Sequence, residues 1–213
     1  MAPPQPRLRT PEVLPLENGD MLTLAEFMRR YEQMHHVKKA ELIEGTVYMP
    51  SPVRADHHAK LDGFIHSWLF NYSAMHELEF YPNATLLLDS DNAFQPDSML
   101  CSKPRKGGRV WLNDKGYLCG SPELVVEVAA SSATIDLRDK LRVYRRRGVS
   151  EYIVWRTADK AVDWFVLEEG EYIPMTAGKD HKLRSKIFHG LVLDVEALLA
   201  LDGAKVLAAI EKS

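Results

Sequence analysis

Cysteine is nearly missing from this chain. Cys101 and Cys119 are the only two in 213 residues. That count supports neither a disulfide framework nor a zinc cluster, and it points to a reducing compartment. Long hydrophobic runs are missing too. No stretch approaches the length of a membrane span, and the first residues lack the apolar core of a signal peptide. Strong charge of one sign is also absent. A formal net charge of −3 leaves room for a local basic patch, but it does not announce a nucleic-acid binder. No internal repeat and no G-x-S-x-G motif is present, so a serine hydrolase finds little support. The expectation is a cytoplasmic protein with no membrane part.

What remains is an ordinary globular composition, with 46% hydrophobic and 27% charged residues. Residues 1–20 hold five of the twelve prolines and read as an extended arm. Residues 21–213 are enough for one domain with a full core. Thr23 and Glu26 resemble a capping box that opens a helix running to Lys38-Lys39. Residues 41–49 (ELIEGTVYM) read as a hairpin about Glu44-Gly45. Leu61, Phe64, Ile65, Trp68 and Leu69 mark an amphipathic helix from Asp56 to Tyr72, with His57 and His58 in its first turn.

Strands follow at residues 84–88 and 94–101, the second carrying Pro96 near its start. A basic loop at 103–108 leads by a plain connection to another strand, PELVVEV. A helix with Leu137, Leu141 and Tyr144 inward ends at Gly148, where a C-cap belongs. A strand at 151–156, a hairpin about 168–170, a short strand at 187–193 and a helix at 195–210 complete the chain. A helix between two core strands makes a crossover. The fold class is therefore α/β (α+β), a mixed central sheet flanked by helices, with an added N-terminal helix and hairpin and a C-terminal hairpin and helix.

The most telling residue is Glu127. It stands alone among Leu124, Val125, Val126 and Val128, in a strand that reads as buried on both faces. A lone buried carboxylate costs several kcal/mol, roughly, unless a cation or strong donors meet it. Asp97 lies in the strand before. Two carboxylates at matching depth on adjacent strands can hold Mg²⁺ (or Mn²⁺), which takes one or two carboxylates and keeps waters for phosphate oxygens. Glu44 is a third acid, read either as a ligand or as a solvated turn residue. Lys140 lies on the shoulder of the helical stripe. It either reaches over the sheet toward a scissile phosphate or pairs at the surface with Asp136. His58 is a weaker accessory candidate. Lys103, Arg105 and Lys106 form one basic cluster and Arg138 opens another; either can run beside a phosphate backbone or be a solvated face.

ELIEG at 41–45, Ser-Pro with the following His58, QPD at 95–97, PELVVEV with the later Ser-Ser, residues 136–155 and the late hairpin together resemble the PD-(D/E)XK, or restriction-endonuclease-like, superfamily. The closer likeness is to its Uma-type branch, over roughly residues 22–200. The resemblance implies a restriction-endonuclease-like core, Mg²⁺-dependent hydrolysis of DNA phosphodiesters, and a homodimer. It also implies Asp97 and Glu127 as metal ligands, with Glu44 as the additional acid and Gln95 as an accessory residue. One position departs. The superfamily's usual lysine stands two residues after the second acid, where this chain has Ala129; in the Uma-type branch it comes from the next helix, here Lys140. Two other readings compete: a non-catalytic dimeric module on the same fold that binds nucleic acid or protein, and a metal-dependent phosphohydrolase acting on nucleotides.

Overall fold

The computed structural model describes residues 13–49, 60–130 and 132–211. Helix α1 (Leu24–Tyr31) is capped by Thr23, whose hydroxyl accepts from the Glu26 amide. It stops well before the Lys-Lys pair. β1 (Glu41–Ile43) and β2 (Thr46–Tyr48) form the expected hairpin. Its tight turn puts both Glu44 (φ 49°) and Gly45 (φ 79°) in the left-handed region, the mark of a primed turn. Leu16, from the Pro-rich segment, is buried against Phe27, Leu42 and Val47. The described end of that segment therefore packs on the hairpin.

The long helix α2 (Lys60–His76) presents Ile65, Trp68, Leu69 and Tyr72 to the core; its expected start, with His57 and His58, lies outside the described residues. β3 (Glu79–Pro82), β4 (Leu86–Asp89), β5 (Asn92–Phe94) and β6 (Ser98–Cys101) follow. Two of these strands depart from the pattern that the sequence predicts. The single strand expected at 94–101 is two strands, β5 and β6, and they belong to different sheets. The chain crosses at Gln95-Pro96-Asp97, where Pro96 offers no amide for a ladder. The strand expected from residue 84 begins later, at Leu86, after Pro82 and the left-handed Asn83 (φ 50°) have turned the chain out of β3.

A 3₁₀ turn (Pro104–Lys106) precedes β7 (Val110–Leu112) and β8 (Leu118–Gly120), a hairpin where a plain connection was expected. β9 (Leu124–Ala129) is buried throughout. Then come α3 (Ala133–Ile135), a π-helical turn (Asp136–Lys140) and α4 (Leu141–Arg146) as one continuous rod, ended by Gly148 at φ 74°. β10 (Glu151–Arg156), β11 (Ala161–Glu168) and β12 (Glu171–Pro174) form a meander, and β13 (Lys182–Arg184) pairs with β14 (Val192–Asp194). The terminal helix is two, α5 (Val195–Leu199) and α6 (Gly203–Ala208). Leu201 (φ 57°) breaks it, and Asp202 caps the second piece.

The architecture is mixed α+β with helices on the sheets, and the described strands form two six-stranded sheets beside the β13–β14 pair. One runs β2-β1-β5-β4-β8-β7, the other β12-β11-β10-β9-β6-β3. β9 and β10 are parallel, joined by the α3–α4 crossover; β6 runs antiparallel on the other side of β9. One face of the second sheet packs Leu124, Val126 and Ile153 against α2 and the C-terminal helices. The other packs Val125, Tyr152 and Val154 against Tyr144 and the first sheet. Strand alternation puts Glu127 on this second face.

Candidate active site

β6 and β9 pair Ser98 with Val126, Met99 with Val125 and Leu100 with Leu124. Continued by one residue, this register sets Asp97 opposite Glu127. Directly opposed residues point to the same face of a sheet, so the two acids lie side by side at the end of β6. Both are buried, Asp97 at 3% exposure and Glu127 at 2%. Asp97 is fixed by the chain crossing. Its Oδ2 accepts the Val128 amide at 2.7 Å, beyond the point where the β6–β9 ladder ends.

Lys140 occupies the centre of a buried acidic cluster. Its Nζ lies 2.9 Å from Glu41 Oε2, 3.0 Å from Glu127 Oε1 and 3.4 Å from Asp136 Oδ1. The Tyr144 hydroxyl donates to Glu127 Oε1 at 3.3 Å, and the Phe94 ring lies 5.8 Å from the ammonium. The expected shoulder position is thus corrected: Lys140 is 3% exposed, in a buried stripe of residues 136, 140, 143 and 144. The π turn accounts for this. It inserts one residue into the helix and shifts the phase of the buried face, which simple α-helical spacing from Leu137 does not foresee. Asp136 does pair with Lys140, but in the interior and not at the surface.

Burial raises the Glu127 carboxyl to about 8, against the pull of Lys140, and Asp136 and Asp97 push it the same way. Burial likewise raises Asp136. Burial alone would lower Lys140, but Glu127, Glu41 and Asp136 outweigh it and hold the ammonium charged. Removing one partner from such a group costs about 3–5 kcal/mol, because the others are left uncompensated.

Two residues passed over in the sequence complete the cluster. Glu41 binds Lys140, and its Oε1 also accepts the Gln95 amide at 2.7 Å. Its signal was legible: an acid between Ala40 and Leu42-Ile43 poses the same burial problem as Glu127. Lys39, two residues earlier, sets its Nζ 3.3 Å from Asp97 Oδ1. Four carboxyls therefore share two ammoniums in a poorly solvated place, and burial there favours the protonated forms of Glu127 and Asp136.

Glu44 does not join them. Its carboxylate meets Arg142 and Arg146 on the surface, and the Arg142 hydrogen bond holds its pKa below the usual carboxylate range. Glu44 sits in the turn, whereas Glu41 stands on the strand's inward face with Ile43. Gln95 reaches the cluster through its backbone; its side chain bonds Tyr31 and the Lys38 and Asn83 carbonyls. Lys103, Arg105 and Lys106 follow Cys101, at the opposite end of β6 from Asp97, and the last two pair with Glu77. Arg138 is exposed on the π turn. Of the second basic stretch, Arg142, Arg145, Arg146 and Arg147 all form ion pairs. His58 lies outside the described residues.

The donor set suits a hard cation, since Mg²⁺ takes carboxylate oxygens and would supply the positive charge that favours their ionised form. Among the described residues no three His, Cys, Asp or Glu side chains converge as a complete cage. An ion here would take two carboxylates from the protein and its other ligands from water or substrate, the usual Mg²⁺ arrangement.

The model of the Uma2 family, described as "Putative restriction endonuclease", matches residues 24–196. The chain belongs to the Uma2 family. A crystal structure of a putative nuclease belonging to DUF820 from Anabaena variabilis ATCC 29413 is similar in fold: TM-score 0.65 at 15% identity, covering 84% of this chain and 98% of that one. No curated protein matches this Uma2 member. Among its described residues no helix is long and apolar enough to cross a membrane.

Proposed function

We propose that this Uma2 protein is a metal-dependent endonuclease that hydrolyses DNA phosphodiester bonds, with Mg²⁺ or Mn²⁺ held by Asp97 and Glu127. The observation that carries the reading is the opposition of these two buried acids across β6 and β9, with a lysine-bound acidic cluster behind them. When bound, the ion supplies Lewis-acid polarisation of the scissile phosphoryl group and lowers the pKa of the attacking water. The chain's own residues do the positioning. Val128 N–H orients Asp97, and Lys140 and Tyr144 orient Glu127. Glu41 braces Lys140 and the Gln95 backbone, so the sheet crossing that delivers Asp97 is tied to the same cluster. Such supporting contacts are worth about 10–100-fold in metal affinity or activity. A homodimer follows from the family resemblance. A cytoplasmic setting is in keeping with two free thiols.

Nicking of supercoiled plasmid tests the proposal. Cleavage is expected with Mg²⁺ or Mn²⁺ and none with chelator. Asp97→Ala is expected to abolish both cleavage and the metal-induced rise in melting temperature. A wild-type protein that binds duplex DNA, but neither cuts it nor gains stability from metal, is instead the non-catalytic module on the same fold.

A further inference from the structure

The acidic cluster has two lysines in unlike settings. The ammonium of Lys140 meets Glu41, Glu127 and Asp136, and its side chain is 4% exposed. From its three N–H donors, hydrogen bonds go to Glu41 and Glu127, and Asp136 adds an ion pair at 3.4 Å. Lys39 differs on each count. Among the described residues its hydrogen-bonded partner is Asp97 alone, at 3.3 Å, and its side chain is 25% exposed. It enters on the segment joining α1 to β1, two residues before Glu41. The segment contributes one residue to the sealed interior, where Glu41 holds Lys140, and one to its partly exposed margin, where Lys39 rests on Asp97.

We propose that Lys39 is the catalytic lysine of this site and that Lys140 is a positioning residue. The inference rests on the nuclease reading. Lys39 lies on one of the two acids that would carry the ion, and it retains N–H donors for a phosphate oxygen. With a divalent ion held by Asp97, Lys39 would no longer be needed as that acid's counter-charge. Lys39 would then be available to donate to the non-bridging oxygen of the scissile phosphodiester, where negative charge grows during in-line attack. Lys140 has no such freedom, because reaching the substrate means leaving three buried carboxylates without their cation.

The test compares wild type, Lys39→Gln, Lys39→Arg and Lys140→Gln by three readouts: Mn²⁺ binding by calorimetry, duplex binding in Ca²⁺, and single-turnover plasmid cleavage in Mn²⁺. Lys39→Gln is expected to melt close to wild type and to bind Mn²⁺ at least as tightly, since a competing cation is gone. Its duplex affinity should fall by less than about tenfold while cleavage slows by roughly a hundredfold or more. Lys39→Arg should recover part of that rate. Lys140→Gln should lose thermal stability and Mn²⁺ affinity together. Wild-type cleavage by Lys39→Gln overturns the assignment and leaves the nuclease reading standing. Loss of Mn²⁺ binding by Lys39→Gln also overturns it, by making Lys39 structural. A wild type that neither binds Mn²⁺ nor cleaves overturns both.

Discussion

β9 and β10 each bury a glutamate, and the two are handled in different ways. Glu151 opens β10 on the face toward α2. Its carboxylate accepts from the Ser185 hydroxyl at 2.8 Å and from the amides of Lys186 and Ile187. These are neutral donors from one loop, and they need no further charge. Glu127, on the opposite face of β9, is met by an ammonium that it shares with two other acids. Burial raises both carboxyls. The first arrangement is complete as it stands and anchors the β13–β14 loop to the sheet. The second gathers four carboxyls around two ammoniums at a chain crossing. A buried acid by itself therefore indicates little; what distinguishes a candidate site is whether its partners already satisfy it.

Substitutions can break this contrast, and the largest effect is expected at Lys140. Lys140→Ala strands three buried acids and should cost about 3–5 kcal/mol, lowering the melting temperature by roughly 6–20 °C for a chain of this size. Denaturant and thermal unfolding check it. A loss below about 1 kcal/mol would mean that the cluster is not interdependent. Next comes Glu41→Gln, which keeps the shape but loosens Lys140 and the Gln95 crossing. Metal affinity should fall about 10–100-fold, as read by calorimetry.

Glu151→Gln should change stability by only about 1 kcal/mol, but it should alter the pH dependence. The folded-state pKa of Glu151 is raised, so the folded protein holds its proton to higher pH than the unfolded chain does. Its contribution to stability is full below the unfolded value and is lost as pH rises through the folded value. The variant should lose less stability over that rise, and its metal response should match wild type. The smallest effect is expected at Glu44. Its ion pairs are surface ones, so Glu44→Ala should cost about 0–1 kcal/mol and leave the metal-induced thermal shift unchanged. A lost shift would return Glu44 to the site in place of Glu41.

Much of this was legible in the residues. A single acid inside Leu-Val-Val-Glu-Val, a proline beside Asp97 and a helix between two core strands led to the crossover and to both acids. Other features were not local. The split of residues 94–101 between two sheets depends on which strands their neighbours find, and residue alternation carries no record of that. The π turn shifted the helix face by one residue, which hid the burial of Lys140. Glu41 was overshadowed by Glu44, three residues on in the turn, although strand alternation sets Glu41 inward beside Ile43. The β7–β8 hairpin had its turn signal in Asn113-Asp114-Lys115-Gly116, but its strands are too short to show a period.

The most direct test of the account is a crystal grown with Mn²⁺, with the ion located by its anomalous scattering. The account predicts one peak bonded to carboxylate oxygens of both Asp97 and Glu127, with Lys140 still among Glu41, Glu127 and Asp136. A peak elsewhere on the protein, or none at saturating Mn²⁺, would contradict it.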